Sequence, residues 1–268
     1  MTDRKPITGG WIGLGLFVAA FTVVSLLLAL WQYDRGVEVA ERNEVLARRL
    51  ASDPVPLDAL LLPDVEQADE DLIGWPVEVT GRFMGDQQVL IRGRANDGTP
   101  GAWLVAPLER SDGSLVAVNR GWVPLEIDSP DDPRVVPPAG QVTVAGITIP
   151  DEEPTRIGPQ DPPEGELDVL ANLDLDRIGA QLGTDLGPVV IQAVGEASSP
   201  PLPLDLPDPT DAGPHTAYVI QWIGFAIVAV VGFAALVGRQ LGRGPLARLA
   251  RRPTVPERRE KTDVPVDR

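Results

Sequence analysis

The sequence predicts a membrane protein in which two transmembrane helices flank an extracytoplasmic α+β domain dominated by an antiparallel sheet or partial barrel. Three observations predict it. Residues 9–30 and 217–237 are apolar runs without a charged residue, and about 20 such residues, at a rise of roughly 1.5 Å each, cross a hydrocarbon core of about 30 Å. Between the runs, apolar residues recur with the period of two that marks strands. Arginines also crowd one side of the second run: Arg239, Arg243, Arg248, Arg251 and Arg252 follow it, whereas the nearest basic residue before it is Arg177. The positive-inside rule then puts the C-terminus in the cytoplasm, and a second span returns the N-terminus to the same side.

Taken in order, the chain reads as a cytoplasmic segment (1–9), a first span (10–31), an extracytoplasmic domain (32–214), a second span (215–238) and a basic cytoplasmic tail (239–268). The expected location is the plasma membrane. Trp11 and Trp31 stand at the two ends of the first run, and Tyr218 and Trp222 near the start of the second, where amphipathic rings prefer the headgroup level. A signal peptide is a poor reading of the first run, because the run is too long and LALWQYD lacks a small-x-small cleavage site.

The stretch from Trp31 to Leu50 has no proline and pairs Glu38 with Arg42 and Glu44 with Arg48 at i,i+4, so the helix is expected to continue beyond the span, interrupted weakly at Gly36. Residues 52–74 are proline-punctuated and acidic, with the run Glu66–Asp71 reading as a solvated loop. Strands follow at 77–83, 89–92, 102–107, 114–122, 142–149 and 188–194, with Asp112-Gly113 as a hairpin turn. A helix is expected over 174–182, closed by Gly183. The proline-rich stretch 198–214 is an extended connector.

Residues 1–10 carry +1 and residues 239–268 carry +5, so of the overall −16 the stretch between carries −22. Such a field disfavours nucleic acid and anionic lipid as partners of the domain. The chain has no cysteine, which excludes disulfides, thiolate metal sites and covalent haem attachment. No Walker loop, G-x-G-x-x-G or G-x-S-x-G occurs, and one histidine cannot build a hydrolytic zinc site. A nucleophile–base pair for an extracytoplasmic hydrolase is not visible, and the chain is not read as an enzyme.

That histidine, His215, opens the second span, with Tyr218 and Trp222 following at helical spacing. A neutral imidazole at a membrane surface, beside aromatic faces, could ligate a haem iron. The plain alternatives are a polar residue at the interface and an aromatic belt. Arg120 and Gly121 read as structural, the glycine at a bulge or special backbone angle and the arginine in an ion pair. Gly9 and Gly13 form a small-xxx-small pair suited to close helix packing. Gln221, polar within the second span, is expected to face the first.

Five blocks together resemble the Surfeit locus protein 1 family: LWQYDR at 30–35, PVEVTGRF at 76–83, LIRGRANDGTPGAWLVAPL at 90–108, VAVNRGWVP at 116–124 and HTAYVIQW at 215–222. The resemblance runs in order along nearly the whole chain, which departs from the family in its acidic, proline-rich insertions and basic tail. It implies a non-enzymatic assembly factor for cytochrome c oxidase that holds haem a transiently during maturation of subunit I. Oxidase subunits, haem synthesis or delivery proteins and the lipid bilayer are the implied partners. His215 would then be the iron ligand, Trp31, Tyr218 and Trp222 would lie against the macrocycle, and Arg35 would meet a propionate. A membrane-tethered scaffold or accessory subunit that never binds haem is the competing expectation.

Overall fold

A computed structural model describes residues 9–61, 69–152, 154 and 158–241. Residues 1–8, the acidic stretch 62–68 and the tail with Arg243, Arg248, Arg251 and Arg252 lie outside the described residues. The chain divides into two compact units, one of Met1–Ala40 with Ala212–Arg268 and one of Glu41–Asp211.

The first unit is a pair of helices. The first of them, α1 (Gly9–Leu50), is a single helix of 42 residues that continues into the second unit, and its partner is the last described helix, His215–Gln240. Both are long and apolar enough to cross a membrane. Their facing residues alternate in steps of three and four. On α1 the covered positions are Gly15, Val18, Thr22, Ser25, Ala29, Gln32 and Gly36, and on the partner helix His215, Val219, Trp222, Ala226, Ala229 and Phe233. This is the seam of a left-handed helix pair. Gly36 meets His215 at one end and Gly15 meets Phe233 at the other, so the helices are antiparallel. Gly9 and Gly13, expected to make the close approach, have open space around them. The register of the partner helix selects Gly15 and Gly36 instead. Gln221 is exposed, one step off the seam, and does not turn onto α1.

The second unit is built on one eight-stranded sheet. After the end of α1 come β1 (Val55–Pro56) and two one-turn helices, α2 (Leu57–Leu60) and α3 (Asp69–Leu72). The strands β2 (Pro76–Phe83), β3 (Val89–Asn96), β4 (Thr99–Arg110), β5 (Leu115–Pro124) and β6 (Gln141–Ile149) follow. Then come β7 (Val169–Leu170), α4 (Leu175–Leu182) and β8 (Leu186–Ala193), after which α5 is the helix from His215 to Gln240. The order across the sheet is β1-β2-β6-β8-β5-β4-β3-β7, with a further three-residue pairing of β2 with β4. The pairing is antiparallel except at β1–β2, β3–β7 and β5–β8. The sheet is not a barrel, and the short pairing of β2 with β4 brings the two sides of the run β2-β6-β8-β5-β4 together. Helix α4 takes its N-cap from Asp174, whose carboxylate accepts the Arg177 N–H at 2.9 Å, and closes at Gly183 in the left-handed conformation, as the sequence implies.

Over the central strands β4, β5 and β8 both faces of the sheet are covered, which is why those strands read as almost continuous apolar runs, whereas β2 alternates buried and exposed residues. Val77, Val79, Leu108, Val116, Val118 and Ile191 form one core with Leu57. On the opposite face Ile91, Val105, Ala117 and Val190 pack with Leu173 and Ile178 of the α4 region. The end of α1 is fastened to this unit by Arg49, which donates to the Ile73 carbonyl at 2.6 Å and lies over the Trp75 ring.

Candidate functional site

The histidine sits where α5 begins. Its Nδ1 lies 2.9 Å from Oε1 of Gln32 on α1, a hydrogen bond spanning 183 positions of sequence. No hydrogen bond reaches its Nε2 among the described residues, and that atom is not sealed from solvent. Two glycines frame the ring. A Cβ on Gly36 would lie 3.3 Å from the His215 Cβ, and one on Gly213 would lie 3.4 Å from Nε2. Gly213 also has φ +64, a left-handed turn that glycine takes without strain and that starts α5 just after Pro214.

The other residues expected at this site surround the histidine unevenly. Arg35 and Tyr218 each stand three residues past a seam position, Gln32 and His215 respectively. In an antiparallel pair such positions share one flank of the seam, and Trp31 lies one turn before Arg35 on the same side. Trp31 and Tyr218 are exposed there, at 58% and 43%. Arg35 donates to Glu38 at 2.7 Å, with both side chains in the open. Trp222 is half-buried on the seam and meets Phe225 edge-on, with ring centroids 5.6 Å apart. Among the described residues no hydrogen bond or ion pair joins Trp31, Arg35, Tyr218 or Trp222 to His215. Gln32, the residue that does touch it, is the part of the site that residue types alone did not reveal. Its signal was positional: Gln32 sits on the small-residue face of α1, seven residues past Ser25. Among the described residues no group of three or more His, Cys, Asp or Glu is gathered to hold a metal ion.

In the second unit the VNRGWVP strand carries a bulge. Leu104 pairs with Gly121 and Val105 with Asn119, so Arg120 is the extra residue and its side chain is re-aimed. Arg120 donates to Gln88 Oε1 and to the Val135 carbonyl, and lies 5.4 Å from the Phe83 ring centroid. The expected ion pair is absent among the described residues: two neutral acceptors and a ring stand where a carboxylate was anticipated. Burial accordingly pushes the guanidinium down to about 10. Gly121 has φ +129, and a side chain there would collide with the Leu202 carbonyl. Trp122 and Leu202 exchange backbone hydrogen bonds of 2.7 and 2.8 Å, which stitches the proline-rich connector to β5. Arg120 and Gly121 are therefore a structural joint. A cleft of about 400 Å³ beside it is lined by Arg82, Phe83, Gln88 and the prolines at 130, 137 and 138.

Comparison with known proteins gives this chain its relatives. A family model described as the SURF1 family matches residues 19–227. An uncharacterized SURF1-like protein of Mycobacterium tuberculosis is 30% identical over 228 residues, which cover 83% of this chain and 82% of that protein. Surfeit locus protein 1 of Rattus norvegicus is 28% identical over 234 residues, 80% of this chain and 73% of the rat protein. The cytochrome oxidase assembly protein SHY1 of Saccharomyces cerevisiae is 31% identical over 129 residues, 48% of this chain and 32% of the yeast one.

Proposed function

This chain belongs to the SURF1 family, and from that premise we propose that it is a membrane-anchored assembly factor for cytochrome c oxidase that holds haem a at His215 during maturation of subunit I. The yeast relative carries oxidase assembly in its name. The observation that carries the haem part of the reading is the Nδ1 bond of His215 to Gln32, which leaves Nε2 without a partner among the described residues. Imidazoles that bind metals are commonly oriented by a hydrogen bond at their other nitrogen.

A bound haem supplies an iron that accepts one imidazole nitrogen, a flat apolar ring and two propionates. The donor set fits: one imidazole, with aromatic side chains and an arginine on the neighbouring flank. Trp31 and Tyr218 offer apolar surface within about one turn of His215, and Trp222 lies about two turns beyond it along the seam. Arg35 is held only by an exposed pair with Glu38, an interaction worth about 0–1 kcal/mol, so its guanidinium is free to exchange one carboxylate for another. His215 faces an amide and not a nucleophile, which suits holding and release better than turnover. In this reading α1 and α5 cross the plasma membrane, both termini are cytoplasmic, and the acidic domain of residues 32–214 faces outward toward oxidase subunits and haem-delivery proteins.

Deleting the gene should remove the haem a absorbance of membranes while the oxidase polypeptides are still made. His215→Ala should abolish the Soret band of the purified, haem-loaded protein and leave it in the membrane. A normal Soret band in that variant would overturn haem ligation and favour a scaffold that carries no cofactor.

A further inference from the structure

We propose that Gln32 is the positioning residue of His215: its amide carbonyl accepts the Nδ1 proton and so fixes the imidazole in the tautomer whose Nε2 lone pair is available to a metal, while Gly213 keeps that nitrogen uncovered. What Nε2 binds rests on the haem reading above. How Nε2 is prepared rests on the helix pair alone.

A neutral imidazole carries one proton and shares it between two nitrogens. Only the form protonated at Nδ1 can bind iron through Nε2. The choice is normally made by a neighbour at the non-ligating nitrogen, and here that neighbour is Gln32 Oε1 at 2.9 Å. No other residue on the facing stretch of α1 can do this, because the adjoining seam positions are Ala29 and Gly36. Among the described residues this is the one side-chain hydrogen bond between the two apolar helices. In a medium with little water it is stronger than at a wet surface.

The chemistry of the amide matters as well. A carboxylate in this place would bring a charge into the apolar layer, whereas Gln32 accepts the proton without one. The amide turned the other way would donate to Nδ1, drive the proton to Nε2 and block ligation. The orientation of a single side chain thus decides whether His215 can act as a ligand. Gly36 contributes by letting the helices approach, since a Cβ there would press on the His215 Cβ at 3.3 Å. Gly213 contributes by its missing side chain, which would otherwise stand 3.4 Å from Nε2.

Because the chain has one histidine, selective ¹⁵N labelling of histidine in the full-length protein gives a single pair of ring signals. In lipid nanodiscs without haem, two-bond ¹⁵N–¹H correlations should show the proton on Nδ1. In Gln32→Leu the proton should redistribute toward Nε2, and Gln32→Asn, too short to reach, should behave like Gln32→Leu. Gln32→Glu should restore the Nδ1–H form. Titrated with haem a, Gln32→Leu should bind about 10- to 100-fold more weakly than the unaltered chain, and Gln32→Glu should bind well with an altered iron reduction potential. A proton on Nε2 in the unaltered chain, or an unchanged tautomer and affinity in Gln32→Leu, would overturn the proposal. A Gln32-dependent Nδ1–H form in a protein that takes up no haem a would sink the haem reading and support the positioning role.

Discussion

At Gly121 the backbone has φ +129 directly under the Leu202 carbonyl, so any side chain there faces both strain and a collision. Gly121→Val should cost at least about 1–3 kcal/mol and lower the thermal midpoint of the detergent-solubilised chain. An unchanged midpoint would show the joint to be incidental. The VNRGWVP motif announced this glycine, because a Gly inside an alternating strand marks a bulge or a close approach. It did not announce the partners of Arg120. Those come from Gln88 and Val135, brought together by two different loops, and sequence spacing carries no trace of such a meeting. Arg120→Ala should leave both acceptors unsatisfied at a cost of about 1–3 kcal/mol, read from the same melting experiment. Acid tests another set of residues. The Arg134 side chain donates to the Asp132 carboxylate, with help from the Arg134 backbone N–H, and holds it at about 2 against an ordinary 3.8. Ser114 and Thr210 lower Asp112 and Asp208 in the same way. A carboxylate held down in the fold adds stability that is fully present above its unfolded value and is lost as pH falls through the folded one. Urea unfolding of the full chain should therefore weaken as pH drops from about 4 toward 2. Asp132→Asn should flatten part of that slope.

Elements with a strong local signal were legible, and those defined by a neighbour were less so. The strands at 77–83, 142–149 and 188–194, the Asp112-Gly113 hairpin and the capped helix α4 all lie within a few residues of expectation, because period, turn chemistry and caps act locally. The hairpin between β3 and β4 was missed even though Asp97-Gly98, with φ of 47 and 75, is a two-residue turn of the favoured kind. Its strands are longer than the apolar runs that suggested them, since their outer ends carry Arg94 and Asn96. In the helix pair, small residues occur all along α1, and only the register of α5 tells the seam from the outer face. That seam holds an imperfection. Ser25 is fully buried and its hydroxyl has no partner among the described residues, and the Thr22 hydroxyl is likewise buried and unpaired among them. Ser25→Ala should accordingly stabilise the pair, by up to about 1 kcal/mol, seen as a higher midpoint in detergent denaturation. A lower midpoint would mean that the hydroxyl finds a partner within the bilayer.

For the whole molecule, the arginine asymmetry around α5 predicts an orientation with both termini cytoplasmic, and a reporter that works only in the cytoplasm should then be silent when fused after Arg110. Activity at that fusion would invert the topology. Of the candidate site, residue type offered the histidine, the aromatic residues and Arg35, whereas the partner the structure gives to His215 is Gln32. That Arg35 and Tyr218 share a flank, and that Gln32 holds the ring, follows from how two helices about 180 residues apart line up. The place of β8 in the sheet bears on time. It lies between β5 and β6, yet among the described residues it is the last strand the ribosome makes. Until Leu186–Ala193 has emerged, β5 and β6 each keep a bare edge, with only the three-residue pairing of β2 with β4 joining the two parts of the sheet, and both edges are open to pairing with the wrong strand. His215 follows about 20 residues later, a matter of one to a few seconds at about 5–20 residues per second. The strand that completes the sheet thus leaves the ribosome before the lone imidazole does, so in a nascent chain the domain can close before His215 is exposed.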